Sequence, residues 1–267
     1  MRSYLALFKM RFIAGLQYRA AAWAGIATQF FFGFLFLMIF RAFYRSSGME
    51  PPMAWPQLAS YVWLQQAFLA ILMLWSQDND LLLSVVNGDS AYELCRPYDL
   101  YAFWAFRLAA TRLSAAALRF APVLLVACLL PPEYRMALPP SLWAFALFLL
   151  SMALSLALVV ALSMFVYILA LVTLSSYGSR LAIGVTAELL MGAVVPIPLM
   201  PDWAQAIVNW FPFRYIMDLP FRLYSGHIAG AEAALQIGIQ IAWVLGLAAL
   251  GRLAFARTMR RIVIQGG

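Results

Sequence analysis

Long apolar runs separated by short polar joints dominate the sequence. The first run covers about Ala20 to Phe40, and a second runs from about Leu58 to Ser76 into the acidic stretch QDND. A third covers about Leu108 to Leu130 and stops at Pro131-Pro132, and a fourth lies inside Ser141 to Leu174. A fifth begins near Leu181 and breaks at PIPLMP; the last covers about Ala233 to Phe255, before the closing RTMRRIVIQGG. A helix needs about 20 apolar residues to cross a hydrocarbon core of roughly 30 Å. The pattern therefore predicts an all-α membrane protein with six transmembrane helices. The run at 141–174 is too long for a perpendicular crossing and must tilt or project. Residues 1–19 are expected to form an interfacial helix, with Leu5, Phe8, Phe12 and Leu16 as a stripe at helical spacing and Lys9 at its edge.

Composition agrees with lipid as the main solvent. The 267 residues are 65% hydrophobic and 11% charged, outside the usual range of soluble domains. No repeat or low-complexity linker marks a second domain, so residues 1–267 are read as a single membrane domain. The run at 20–40 is too long for the apolar part of a signal peptide and is expected to be a retained first span. Cys95 and Cys128 lie in unlike settings, one polar and one apolar, which speaks against a disulfide between them.

Charge then sets the expected direction. With the N-terminus inside, the cytoplasmic segments hold Arg2, Lys9, Arg11, Arg19, Arg96, Arg107, Arg180, Arg252, Arg257, Arg260 and Arg261. The outer loops hold only Arg41, Arg45, Arg135, Arg214 and Arg222. The positive-inside rule favours both termini in the cytoplasm. The same topology accounts for the net charge of +7 without a nucleic-acid partner.

Against that background NGDSAYELCRPYDLY, residues 87–101, is out of place. Five of the chain's eleven acids, Asp78, Asp80, Asp89, Glu93 and Asp99, fall between Gln77 and Arg107. Asp80 is placed to cap a short helix through LLLSVV, which Asn87-Gly88 then ends. Ser90 and Glu93 have capping-box spacing, and Pro97 disfavours helix at Arg96. The expectation for 77–107 is a shaped cytoplasmic object with a self-capped helix at about 89–96. The plainer alternative is a loop lying on headgroups.

Groups for catalysis are scarce. His227 is the only histidine and Lys9 the only lysine, so a phosphate loop ending in Gly-Lys-Ser/Thr is excluded. The chain is expected to bind no cofactor and to act as a non-enzyme whose energy comes from elsewhere. Arg112 and Arg119 in the third run and Glu188 in the fifth are the intramembrane charges, and such groups face a bundle interior, a cavity or one another. Arg112 and Arg119 are seven apart and share a face of one continuous helix. They are read as a cavity wall or as one side of an Arg–Glu pair with Glu188, the alternative being snorkelling to the surface.

Two stretches resemble the type-2 ABC exporter permeases, membrane subunits of bacterial ATP-driven transporters. NGDSAYELCRPYDLY is similar to the family's Gly…Leu-x-Arg-Pro segment after the second span. NWFPFRYIMDLPFRLYSGHI, residues 209–228, is similar to its Pro-Phe-x-Tyr…Pro…Gly segment before the last span. The resemblance implies a coupling helix at about 89–96, with Asp89, Tyr92, Glu93, Leu94, Arg96 and Pro97 meeting a separate cytoplasmic ATPase that carries the ATP and Mg. It implies a second permease subunit, identical or a sibling, and a bacterial inner-membrane location. Short helices over 195–224 would re-enter the outer leaflet, and Arg112, Arg119, Glu188, Pro196, Phe213 and Tyr215 would line or gate the pathway. The implied cargo is amphipathic or hydrophobic. Rival readings are the substrate-binding membrane subunit of an energy-coupling vitamin importer and a membrane-embedded hydrolase. A Glu232…Gly238 match to the importers' coupling motif falls on the outer side and lacks the expected tail.

Overall fold

The computed structural model describes residues 2–46, 51–88 and 97–260. Among these residues the regular elements are all helical. They are α1 (Arg2–Gly15), α2 (Arg19–Ser46), α3 (Trp55–Leu72), α4 (Asn79–Val86), α5 (Leu100–Ala117) and α6 (Phe120–Leu129). There follow α7 (Leu142–Thr173), α8 (Ser176–Leu190), a 3-10 turn at Ile197–Leu199, α9 (Asp202–Val208), α10 (Arg214–Tyr224) and α11 (Gly230–Met259). Among the described residues four helices are long and apolar enough to cross a membrane: α2, the α5–α6 unit, α7 and α11. These four mark a multi-pass membrane protein.

The second and fifth predicted spans differ from that pattern for physical reasons. α3 runs through the middle of the bundle and is buried on all sides, with Tyr61, Val62, Trp63 and Leu64 at 0% exposure. A helix wrapped by protein needs no lipid-facing coat, so it tolerates Gln57, Gln65 and Gln66. Gln65 donates to the Ala193 carbonyl at 2.7 Å, and Gln57 to the Ser225 carbonyl at 3.3 Å. α3 ends at Leu72, short of the predicted Ser76. α8 is only 15 residues long, about 22 Å, too short to cross alone.

Local signals set the other boundaries. Ser141 Oγ accepts from the Ala144 amide at 3.0 Å and starts α7, which ends at Leu174 in the left-handed region (φ 52°). Asp99 and Ser175 cap α5 and α8 in the same way. α4 is capped by Asp78, whose Oδ1 accepts from the Leu81 amide at 3.0 Å. The predicted cap, Asp80, instead lies in its first turn. Asn87 closes α4 as expected, and Gly88 turns the chain at φ +84°, where a side chain would be strained.

α1 forms as a helix and packs on protein through a face other than the predicted stripe. It runs parallel to α5, with Tyr4 stacked on Phe106 and Gly15 against Ser114. Leu7 is the buried residue of that face, whereas Leu5, expected in the stripe, is 60% exposed. The helix therefore docks on a protein neighbour through Tyr4, Leu7 and Gly15.

Contacts sort the chain into two ends. At one end Arg41 binds Glu133 at 2.5 Å, the Trp55 indole donates to the Glu133 carbonyl, and the Tyr224 hydroxyl donates to the Ala137 carbonyl. At the opposite end Arg107 meets Asp78, the Tyr101 hydroxyl reaches the Ala248 carbonyl, and Arg252 pairs with Asp99. α10 starts halfway along α7, with the Tyr215 carbonyl accepting from Ser155, and rises to Tyr224 beside Phe148. The chain from Met191 to Phe213 joins α8 to α10.

Candidate functional site

The polar groups of this bundle collect in layers, and the richest lies at the Asp78 end. Asp78 and Arg107, each with 8% of its side chain exposed, form a two-pronged ion pair at 2.6 and 2.9 Å. The Asp78 amide donates to the Tyr167 hydroxyl at 3.0 Å, which ties α4 to α7. Next to this pair Arg112 is buried, 4% exposed. It donates to the carbonyls of Ile71, Met73 and Ser76 at 3.1, 2.8 and 2.7 Å and to Ser163 Oγ at 3.2 Å. A cation at that point faces the negative end of α3 and satisfies carbonyls that the helix leaves open. A cleft of about 50 Å³ lies alongside, bordered by Ser76, Gln77, Asp78, Thr111 and Arg112.

The middle layer is an amide knot. Gln240 of α11, fully buried, donates to the Ser151 carbonyl at 3.0 Å and to the Tyr215 carbonyl at 2.8 Å, and accepts from Ser151 Oγ at 2.9 Å. One side chain so joins α7, α10 and α11. The third layer is on α10, where Arg214, Asp218 and Arg222 follow at spacings of four. Asp218 is fully buried and bound by Arg222 at 3.3 Å, with its Oδ1 unpartnered among the described residues. Arg214 bonds Asn209 and lies over the Tyr215 ring at 5.3 Å.

The expected site residues fare differently. Asp89, Tyr92, Glu93, Leu94 and Arg96, with the coupling helix at 89–96, lie outside the described residues. Pro97 is exposed, next to Tyr98, which stacks on Phe103 at 4.5 Å. Tyr215 is buried and central to the amide knot, and Phe213 is half-buried just before α10. Pro196 is buried and introduces the 3-10 turn. Glu188 is half-buried near the end of α8.

Two expectations about charge are corrected. No ion pair joins Glu188 to Arg112 or Arg119 among the described residues; the terminal nitrogens of Arg112 bond three carbonyls and Ser163 Oγ instead, and its Nε has no partner among those residues. Arg112 and Arg119 do not share a face of one continuous helix, because the chain breaks between Ala117 and Phe120. Arg112 turns into the bundle, and the Arg119 guanidinium lies flat against Gly25 of α2.

Several residues in these layers were not singled out from sequence. The Arg214–Asp218–Arg222 spacing is a legible signal, since opposite charges four apart share a helix face. Gln240, Ser151 and Ser155 carry no such mark. Comparison with family models, with curated proteins and with solved structures gives no match.

Proposed function

We propose that the chain is the membrane permease subunit of an ATP-driven exporter of the type-2 ABC class, set in a bacterial inner membrane. In this reading the chain crosses six times, with α3 as the second crossing and α8 with α10 as the fifth. Both termini and the Asp78 end face the cytoplasm. A separate ATPase binds the segment around 89–96, and two permease subunits, identical or sibling, enclose the route for an amphipathic or hydrophobic molecule. ATP and its Mg belong to the ATPase, and this chain carries out no catalysis of its own.

The observation that carries the proposal is that both flanks of the 89–96 segment are tied to long helices. On the leading flank Asp78 holds Arg107 of α5 and Tyr167 of α7. On the trailing flank the Asp99 carboxylate holds Arg252 of α11, while its amide donates to the Tyr4 hydroxyl of α1 at 3.0 Å. Force that reaches these two anchors passes on to four helices. The broken crossing suits the same reading, because interrupted helices at membrane depth line cavities or are buried in protein.

The test is co-purification with a candidate ABC ATPase from the same organism, followed by measurement of ATP hydrolysis in nanodiscs. Glu93→Ala with Arg96→Ala is expected to weaken assembly and to lower stimulated hydrolysis several-fold. Unchanged assembly together with unchanged hydrolysis rejects the proposal.

A further inference from the structure

Halfway along α2, Gln29 is 2% exposed, and among the described residues neither its Nε2 nor its Oε1 has a hydrogen-bond partner. This is an entire amide buried unpaired inside a helix apolar enough to cross a membrane. Leucine at that position would avoid the penalty entirely. One turn away on the same face is Gly25, whose missing side chain makes room for Arg119. A β-carbon on Gly25 would come within 2.8 Å of the Arg119 Cζ and 3.0 Å of its Nε. Side chains on a helix lean toward its N-terminus, so Gln29 leans toward that guanidinium. The Arg119 Nε is itself buried and unpartnered, and no carboxylate pairs with Arg119 among the described residues. Three unmet polar atoms and one uncompensated cation thus share a single seam between α2 and the α5–α6 break.

We infer that this seam is a binding site for an anionic amphiphile, a single acyl chain with a carboxylate or phosphate head. The head accepts hydrogen bonds from Gln29 Nε2 and from the guanidinium. Drawn inward, the guanidinium donates its Nε–H to Gln29 Oε1, which meets all three orphaned atoms and neutralises the charge. Arg119 is only half-buried, so the head reaches it from the lipid side. The chain's tail then lies along surfaces already apolar and exposed, such as Trp23 and Phe32 on α2 or Leu125 on α6. The break at Leu118–Arg119 gives α6 a joint about which to admit it. As the cargo class for the exporter this inference rests on the reading above. Binding is measured without nucleotide or ATPase, so its failure and a failure of coupling are separable.

The experiment uses the purified full chain in maltoside micelles, with radiolabelled oleate binding and thermal unfolding as readouts. Oleate is expected to bind and raise the unfolding midpoint, while methyl oleate, equally apolar but uncharged, does neither. Arg119→Gln should weaken oleate binding by roughly tenfold or more, since a charge-assisted bond is lost. Gln29→Glu supplies the anion from within, so it should raise the midpoint of the free protein and abolish the oleate shift. Hexadecyl phosphate separates the two head chemistries: a shift from oleate alone assigns a carboxylate, and equal shifts assign a general anionic head. Equal effects of oleate and methyl oleate, no effect of any probe, or oleate binding unchanged in both variants overturns the inference.

Discussion

Arg107 grips Asp78 with two hydrogen bonds, from Nε to Oδ2 at 2.6 Å and from Nη2 to Oδ1 at 2.9 Å, across 29 residues of chain. The acceptor is also the cap of α4, so one carboxylate fixes a helix start and an interhelical angle together. Asp78→Ala strands a buried guanidinium and uncaps α4. The expected loss is about 3–5 kcal/mol for a buried pair deprived of one partner. Replacing both residues, as Asp78→Leu with Arg107→Met, should cost clearly less than the sum of the single changes. Unfolding in mixed SDS micelles, arranged as a double-mutant cycle, measures this coupling.

Arg112 offers a second, independent check, because its partners are carbonyls and a hydroxyl. Lysine keeps the charge but loses the planar fork that spans three carbonyls. Arg112→Lys should therefore destabilise measurably, and Arg112→Leu should cost about 3 kcal/mol or more through unpaired buried carbonyls. If Arg112 instead served a pathway alone, both variants would keep the wild-type unfolding curve and change only transport.

These charges show how far the sequence was readable. α2, α7 and α11 stand out as apolar runs because lipid contacts much of their surface, and lipid demands apolar side chains there. α3 was legible as the run at 58–76, but its enclosure by protein, which makes Gln65 and Gln66 affordable there, was not. The presence of Arg112 and Arg119 was plain, but their partners depended on a helix break at Leu118–Arg119, where Pro122 has no N–H to give the Leu118 carbonyl four residues back. Gln29 and Gln240 look alike in sequence, each an amide inside an apolar run. Only tertiary packing shows that one is fully bonded and the other not.

Gly33 is expected to be intolerant of any side chain. A β-carbon there would stand 2.6 Å from Cζ3 of Trp63, a fully buried ring whose indole donates to the Tyr134 carbonyl at 2.7 Å. The ring cannot yield without giving up that bond. Gly33→Ala should cost about 1–3 kcal/mol through overpacking. Trp63→Phe removes the clashing atoms, so the double variant should lose less than the two single losses added together. Strict additivity in thermal unfolding would refute the contact.

His227 and Glu133, in loops at the same end of the bundle, predict opposite responses to their surroundings but one shared trend with pH. Burial holds the His227 pKa below its ordinary 6.5, with Arg222 adding to the effect and Glu232 opposing it. The unfolded chain therefore takes up the proton first, and stability falls as pH drops below about 6.5. The Arg41 hydrogen bond holds Glu133 below its ordinary 4.5. Its contribution is present above that value and is lost as pH falls through the lower folded pKa. Thermal unfolding between pH 7.5 and 5 should thus show a decline that His227→Gln largely removes, and Glu133→Gln should leave that window unchanged. A wild-type midpoint that stays flat or rises across the window contradicts the burial of His227.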